Sequence, residues 1–116
     1  MNTIKVKEII SNGLSESDGL LIREKIKDLL EISKDKIVLD FSGINLFATP
    51  FFNSFIGYFV IQYSPEKVSE LIELKNISEL GKETYQHSFN NAKNFYYKNI
   101  NTDNIGKIVQ NTIENS

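Results

Sequence analysis

Hydrophobic residues recur along the chain with two different spacings, which predict an alternation of strands and helices. Residues 3–7 alternate polar and apolar side chains, as in a strand with one exposed face. Residues 36–41 contain a continuous apolar run typical of a buried central strand. Between them, residues 17–33 follow the helical period. The apolar face of this helix consists of Ile22, Ile26, Leu29 and Leu30, and its charged face consists of Arg23, Glu24, Lys27, Asp28 and Glu31.

A second helix is predicted over residues 50–63. Thr49 is suited to the N-cap position and Pro50 to the first helical position, while Ser64 and Pro65 end the element. The helix is rich in aromatic residues, and we expect its main apolar face in the core. That face consists of Phe52, Phe55, Ile56, Phe59 and Tyr63.

The last third of the chain is predicted to contain one strand and two helices. Residues 71–74 form a short third strand, and residues 78–98 follow the helical period. After a turn at residues 99–101, residues 103–114 are predicted to form a last helix capped by Thr102. One face of this helix carries Ile105, Ile108, Val109 and Ile113.

The order of these elements, together with the chain length, indicates one small α/β domain. Strands that alternate with helices imply a sheet that is at least partly parallel, with helices packed on it. At 116 residues the chain fits a single domain. We expect this domain over residues 1–100, with residues 101–116 as its C-terminal helical extension.

Composition disfavours several classes of partner and cofactor. The net charge is −2 and the lysines are interleaved with acids, whereas nucleic-acid binders carry a basic patch, so no nucleic acid is expected. The chain has no cysteine and no glycine-rich phosphate loop, so we expect no thiolate metal site and no nucleotide cofactor. Residues 51–63, the longest apolar stretch, are fewer than the ~20 residues of a membrane-spanning helix. No signal-peptide pattern follows Met1, and we expect a cytoplasmic protein without a membrane partner.

Two polar residues, Asp40 and His87, are candidates for ligand binding or catalysis. Asp40 ends the central strand, where open α/β sheets place their ligands, so it could belong to a ligand pocket. Because residues 41–65 contain no other acid, a metal site is disfavoured, and hydrogen bonds from loop N–H groups are the favoured role. His87, the only histidine, lies off the apolar face of its helix and is expected at the surface. We therefore predict no catalytic residue and no metal ligand.

The start of the second helix is the most distinctive local feature. As N-cap, Thr49 would accept a hydrogen bond from one of the unpaired backbone N–H groups of the helix. Phe47 and Phe51 lie on either side of it. Two interpretations remain open for these rings: they form an exposed protein-binding patch, or other helices cover them.

The run Ile37-Val38-Leu39-Asp40-Phe41-Ser42-Gly43-Ile44, followed four residues later by Thr49-Pro50-Phe51-Phe52, resembles the STAS domain, named for sulfate transporters and anti-sigma factor antagonists. It is most similar to a bacterial STAS-like family of unknown function, and the resemblance covers about residues 3–97. It implies a small mixed sheet of about four strands, a phosphorylation switch at the Thr49 hydroxyl and a partner with a GHKL-type ATPase fold. The antagonists carry an Asp before this hydroxyl and a Gly two residues after it, which Ala48 and Phe51 replace here.

These observations predict a regulatory protein-binding module that is not an enzyme. The expected contact surface comprises Ser42, Phe47, Thr49, Phe51, Asn53 and Gly57. Two alternatives remain. The first is a small-ligand binder or enzyme with a pocket near Asp40. The second is an obligate homo-oligomer, such as a homodimer, in which the C-terminal helix and the aromatic patch are self-contacts.

Overall fold

The structure, a computed structural model, describes the backbone of residues 2–110 and the side chains of residues 2–99. Its sheet has three parallel strands in the order β1 (Asn2–Lys5), β2 (Ile37–Asp40) and β3 (Ile72–Lys75). The α/β class is confirmed, but the expected mixed sheet of about four strands is wrong for the described residues. The sheet is parallel because a helical crossover separates each strand from the next.

The first helix, α1 (Glu16–Ile32), follows its predicted pattern closely. Ser15 caps it, since its side-chain oxygen accepts a hydrogen bond of 3.1 Å from the Asp18 backbone N–H. The predicted apolar face faces the core: Ile22, Ile26 and Leu30 are buried, and Leu29 is partly buried against them. Burial of this face stabilises the helix more than helix propensity does.

The second helix, α2, has three segments: α-helical Thr49–Phe52, π-helical Asn53–Gly57 and α-helical Tyr58–Gln62. Its N-cap is Ala48, so the prediction that Thr49 is the cap is wrong by one residue. The reason lies in the preceding loop. The Ala48 N–H donates to the Gly13 carbonyl at 2.8 Å, which holds Ala48 extended and leaves Thr49 as the first helical residue.

A short helix that the sequence analysis missed, α3 (Pro65–Leu71), precedes β3. Ser64 has a φ of 139° and caps α3 by accepting from the Lys67 N–H at 3.0 Å, with Pro65 as the first helical residue. The Ser-Pro pair that ends α2 therefore also begins the next helix.

The last described element is one continuous helix, α4 (Glu79–Gln110), so the predicted break at residues 99–101 is wrong. Asparagine in a helix interior costs only a fraction of a kcal/mol, and neither Gly nor Pro occurs at the predicted break. The Asn99 side chain donates to the Phe95 carbonyl at 2.9 Å, one helical turn back. The expected boundary at residue 100 lies inside this helix. Residues 111–114 and the side chains of Ile105, Ile108, Val109 and Ile113 lie outside the described part.

One hydrophobic core joins the sheet, α1 and α2. Leu39 at the centre of β2 pairs in register with Ile4 and Leu74, and it is fully buried, as is Phe55 of α2. α4 covers this core with partly buried side chains that include Tyr85, Phe89, Ala92 and Tyr96. Within residues 2–110, no helix is long and apolar enough to cross a membrane.

Candidate functional site

The two aromatic rings beside Thr49 are buried, so their assignment to an exposed contact surface is wrong. Phe47 is 9% exposed and Phe51 is 0% exposed. The Phe47 ring stacks on Phe52 with centroids 5.8 Å apart. Gly81 of α4 lies against it so closely that a Cβ there would be 2.9 Å from the Phe47 ring. The second interpretation, that other helices cover these rings, is therefore confirmed.

Part of the loop before α2 remains exposed. Ser42 is exposed, and Leu46 is 51% exposed. Leu46 was not among the residues predicted to contact a partner. Thr49 is partly buried. Because Ala48 is the N-cap, the Thr49 hydroxyl is not used for capping and bonds to no other described residue.

Asp40 joins the ends of two strands. Its Oδ1 accepts hydrogen bonds from the Asn76 side chain at 3.0 Å, from the Ser42 N–H at 3.0 Å and from the Ser42 hydroxyl at 2.8 Å. These donors, the Asn76 amide first and Ser42 second, lower the pKa of Asp40 from 3.8 to about 2. The favoured role, accepting bonds from the loop, is confirmed.

The described residues contain no cluster of three or more side chains of the metal-ligating types His, Cys, Asp and Glu. His87 is exposed, as predicted, and its Nε2 lies 3.3 Å from the Asn91 side-chain nitrogen. Neither Asp40 nor His87 lines the groove described next.

A groove of about 590 Å³ runs between α1 and α2. The α1 side carries Glu16, Leu20 and Arg23, and the α2 side includes Asn53, Gly57 and Ile61. Asn53 and Gly57 were predicted to contact a partner, and the structure places both here. A Cβ built on Gly57 would meet no atom within 4 Å, so this position opens to the groove.

The close approach of α1 to α2 depends on Gly19. A Cβ at this position would collide with the Ser54 hydroxyl and the Phe51 carbonyl oxygen of α2. The Ser54 hydroxyl itself donates to that carbonyl at 2.8 Å. The two helices therefore touch through backbone at Gly19, and the groove is the space left beside this contact.

The π-helical segment of α2 is held from both sides. On one side, the fully buried Ser88 of α4 donates its hydroxyl proton to Asn53 Oδ1. On the other side, Arg23 Nη1 donates to the Ser54 carbonyl at 3.4 Å. Single π-helical turns inside α-helices occur frequently at functional sites.

Arg23 is the residue that the sequence analysis misplaced. The pattern places it on the charged face of α1, opposite the core, but it is partly buried and its guanidinium lies 3.9 Å from the centre of the Tyr58 ring. Its Nε is buried without a hydrogen-bond partner, and no described carboxylate forms an ion pair with it. The sequence contains one indication of a special role for this residue: Arg23 is the only arginine in a chain with twelve lysines, and arginine can stack and donate two parallel hydrogen bonds where lysine cannot.

The homo-oligomer alternative loses one of its two supports. It required the aromatic residues Phe47 and Phe51 as a self-contact, and both are buried within the domain. The other support, the apolar face of the predicted last helix, lies outside the described side chains.

A family model described as a STAS-like domain of unknown function matches residues 18–82, which is more than half of the chain. The matched segment extends from α1 through β3 into the first turn of α4, so it includes the groove between α1 and α2 except for Glu16. No curated protein and no solved structure matches the chain.

Proposed function

Because the chain belongs to the STAS-like domain family of unknown function, we propose that it is a regulatory protein-binding module without catalysis of its own. The partner contacts the α2 surface, by which we mean Ser42, Leu46, Thr49, Asn53, Gly57 and Ile61. The earlier candidates Phe47 and Phe51 belong to the core and support this surface from inside.

The observation that carries the proposal is the unfilled space beside Gly57, with polar Asn53 one turn before it on α2 and apolar Ile61 one turn after it. Ile61, one turn further along α2, is 38% exposed, and Leu46 in the preceding loop is 51% exposed. Asn53 is exposed, while its amide oxygen is fixed by Ser88. Apolar side chains beside small polar residues are typical of protein interfaces.

Regulation of this contact is assigned to Thr49. Its hydroxyl bonds to no other described residue, so it is not committed to capping. A phosphate there would add a charge of about −2 to a surface that includes the exposed side chain of Leu46. Since the chain resembles the anti-sigma factor antagonists, a protein with a GHKL-type ATPase fold is the first partner to test.

The proposal predicts which substitutions abolish partner binding. Thr49→Glu adds a carboxylate, and Gly57→Arg fills the open position with a long cation, so both are expected to reduce capture of the partner at least tenfold. Thr49→Ser keeps the hydroxyl and should bind normally. The measurement is co-purification from the native cell, after circular dichroism has shown that each variant is folded.

Ser69→Arg on α3 is the matched control, because it places the same side chain on an exposed position away from the groove. If Thr49→Glu and Gly57→Arg retain every partner that the parent and Ser69→Arg recover, the α2 surface is not the interface and the proposed function is wrong.

A further inference from the structure

Arg23 has an unused hydrogen-bonding edge. Its Nη1 donates to the Ser54 carbonyl, and the Tyr58 ring covers one face of the guanidinium. The N–H bonds of Nε and Nη2 point in parallel along the opposite edge, and neither nitrogen donates to a described residue. Two parallel donors of this kind match the two oxygens of one carboxylate.

The charge of Arg23 is also uncompensated. No described acid forms an ion pair with it, and Glu16, the acid that lines the same groove, lies seven residues earlier on α1. Seven residues of α-helix correspond to about 10 Å, so Glu16 occupies the far end of the groove. The groove therefore presents a cation at one point and an anion at another.

The surroundings of Arg23 are mixed rather than polar. Leu20 lies one turn before it on α1, the Tyr58 ring of α2 packs on its guanidinium, and Ile61 of α2 lines the same groove. A volume of about 590 Å³ is within the range of pockets that bury a drug-sized ligand. An occupant with one acidic side chain and apolar neighbours complements this lining, whereas a run of acids would meet Glu16.

From this geometry we infer that the groove between α1 and α2 binds a segment of the partner protein through one Asp or Glu side chain. The carboxylate accepts two parallel hydrogen bonds from Nε and Nη2 of Arg23, and an apolar neighbour packs beside Tyr58 and Ile61. This inference rests on the proposed function, since it names what the partner offers to the α2 surface.

Because Nε is enclosed in the free protein, the Arg23 side chain must shift for the carboxylate to reach it. The shift is favoured because it gives a buried donor the partner that it lacks. In the free protein the Tyr58 ring stacks on the guanidinium and the Ser54 carbonyl accepts from Nη1, and a small shift that keeps both contacts is the one the inference requires. The single arginine thus combines three contacts that a lysine cannot make together.

The inference is tested with blocked hexapeptides on the full chain. Three pools carry Glu, Gln or Lys at the third position, with random residues other than Asp and Glu elsewhere. The chain has one arginine, so a single ¹⁵N Nε–Hε resonance reports on Arg23. We expect the Glu pool to shift this resonance and to bind about tenfold or more tightly than the Gln pool.

Substitutions of Arg23 distinguish the two parallel hydrogen bonds of a guanidinium from the attraction of a positive charge alone. Arg23→Met should remove the preference for Glu over Gln, and Arg23→Lys should keep only a small part of it, because lysine offers a point charge. Lys25→Met removes a cation two residues away on α1 and should leave binding unchanged. Equal binding of the Glu and Gln pools, an unshifted Arg23 resonance, or an unaltered preference in Arg23→Met would overturn the inference.

The two proposals can fail separately. If Gly57→Arg abolishes capture of the native partner but the peptides show no preference for Glu, the proposed interface stands. The inference that a carboxylate of the partner binds Arg23 is then wrong. If the Glu peptides require Arg23 but Gly57→Arg still captures every native partner, the groove binds carboxylates and the proposed function is wrong.

Discussion

At the scale of single residues, local hydrogen bonding was predictable and distant contacts were not. Asp40 accepts from the backbone N–H two residues later, a short-range arrangement that the residue type and the strand end already favoured. The donor Asn76 follows another strand, so its contact with Asp40 could not be predicted from the sequence. The position of Arg23 also depends on a distant residue, because Tyr58 belongs to the facing helix.

The hydrogen bonds to Asp40 predict how stability changes with pH. Since the folded state lowers the pKa of this carboxyl from 3.8 to about 2, the unfolded state binds the proton more readily. The stabilisation is present above pH 3.8 and is lost as pH falls towards 2. The test is urea unfolding at pH 6 and at pH 3. Asp40→Asn should have a lower unfolding free energy than the parent at pH 6. Its unfolding free energy should also fall less than that of the parent between pH 6 and pH 3.

Asp28→Asn is the control, since Asp28 is an exposed acid on α1. It is measured by urea unfolding at the same two pH values, so that the effect of Asp40→Asn is compared with the removal of an exposed acid. An Asp40→Asn variant whose unfolding free energy falls as much as that of the parent would contradict the role given to the Ser42 and Asn76 donors.

At the scale of elements, the hydrophobic period located every described strand and most helices within a few residues. It failed where neighbouring structure sets a boundary. Ala48 replaces Thr49 as the cap because a bond to Gly13 keeps Ala48 extended. α3 is short and follows Ser64 directly, so its few residues show no clear helical period. The π-helical turn in α2 leaves no mark in a pattern that assumes 3.6 residues per turn.

Two glycines in these helices should respond in opposite ways to a methyl group. Gly19→Ala places a Cβ against Ser54 and the Phe51 carbonyl, which should cost about 1–3 kcal/mol of unfolding free energy. Gly57→Ala meets open space and should stabilise the protein by up to about 1 kcal/mol, because alanine is the better helix former. Urea unfolding measures both. A Gly19→Ala variant as stable as Gly57→Ala would show that α1 and α2 do not meet at this point.

At the scale of the whole molecule, the fold class and core were readable from sequence, and the site was readable only in part. Buried strands and aromatic helix faces follow from local pattern, and Leu39 and Phe55 are buried as expected. Whether Phe47 and Phe51 were covered depended on α4, whose packing is a tertiary property. The groove was predicted in part. Asn53 and Gly57 on α2 were expected to contact a partner, whereas Arg23 on the α1 side was placed on the charged face of its helix.

The matched family segment ends at residue 82, yet the structure predicts that the domain needs more of α4. The Tyr85 ring packs on Phe52 with centroids 5.6 Å apart, and burial raises the pKa of Tyr85 to about 12. Three residues further, the buried Ser88 bonds to Asn53, and Tyr97 donates to Glu66 of α3. These contacts attach α4 to both α2 and α3 beyond residue 82.

A chain ending at residue 82 should therefore not fold cooperatively, whereas one ending at residue 99 should. Full burial of one large apolar side chain contributes about 1.5–3 kcal/mol, and Tyr85, Phe89 and Tyr96 are partly buried. Losing all three still removes a sizeable part of the roughly 5–15 kcal/mol that stabilises a domain. Amide NMR spectra and urea unfolding compare the two chains with the parent. If the chain of residues 1–82 gave dispersed amide resonances and unfolded at the same urea concentration as the parent, the groove and the core would form without the rest of α4.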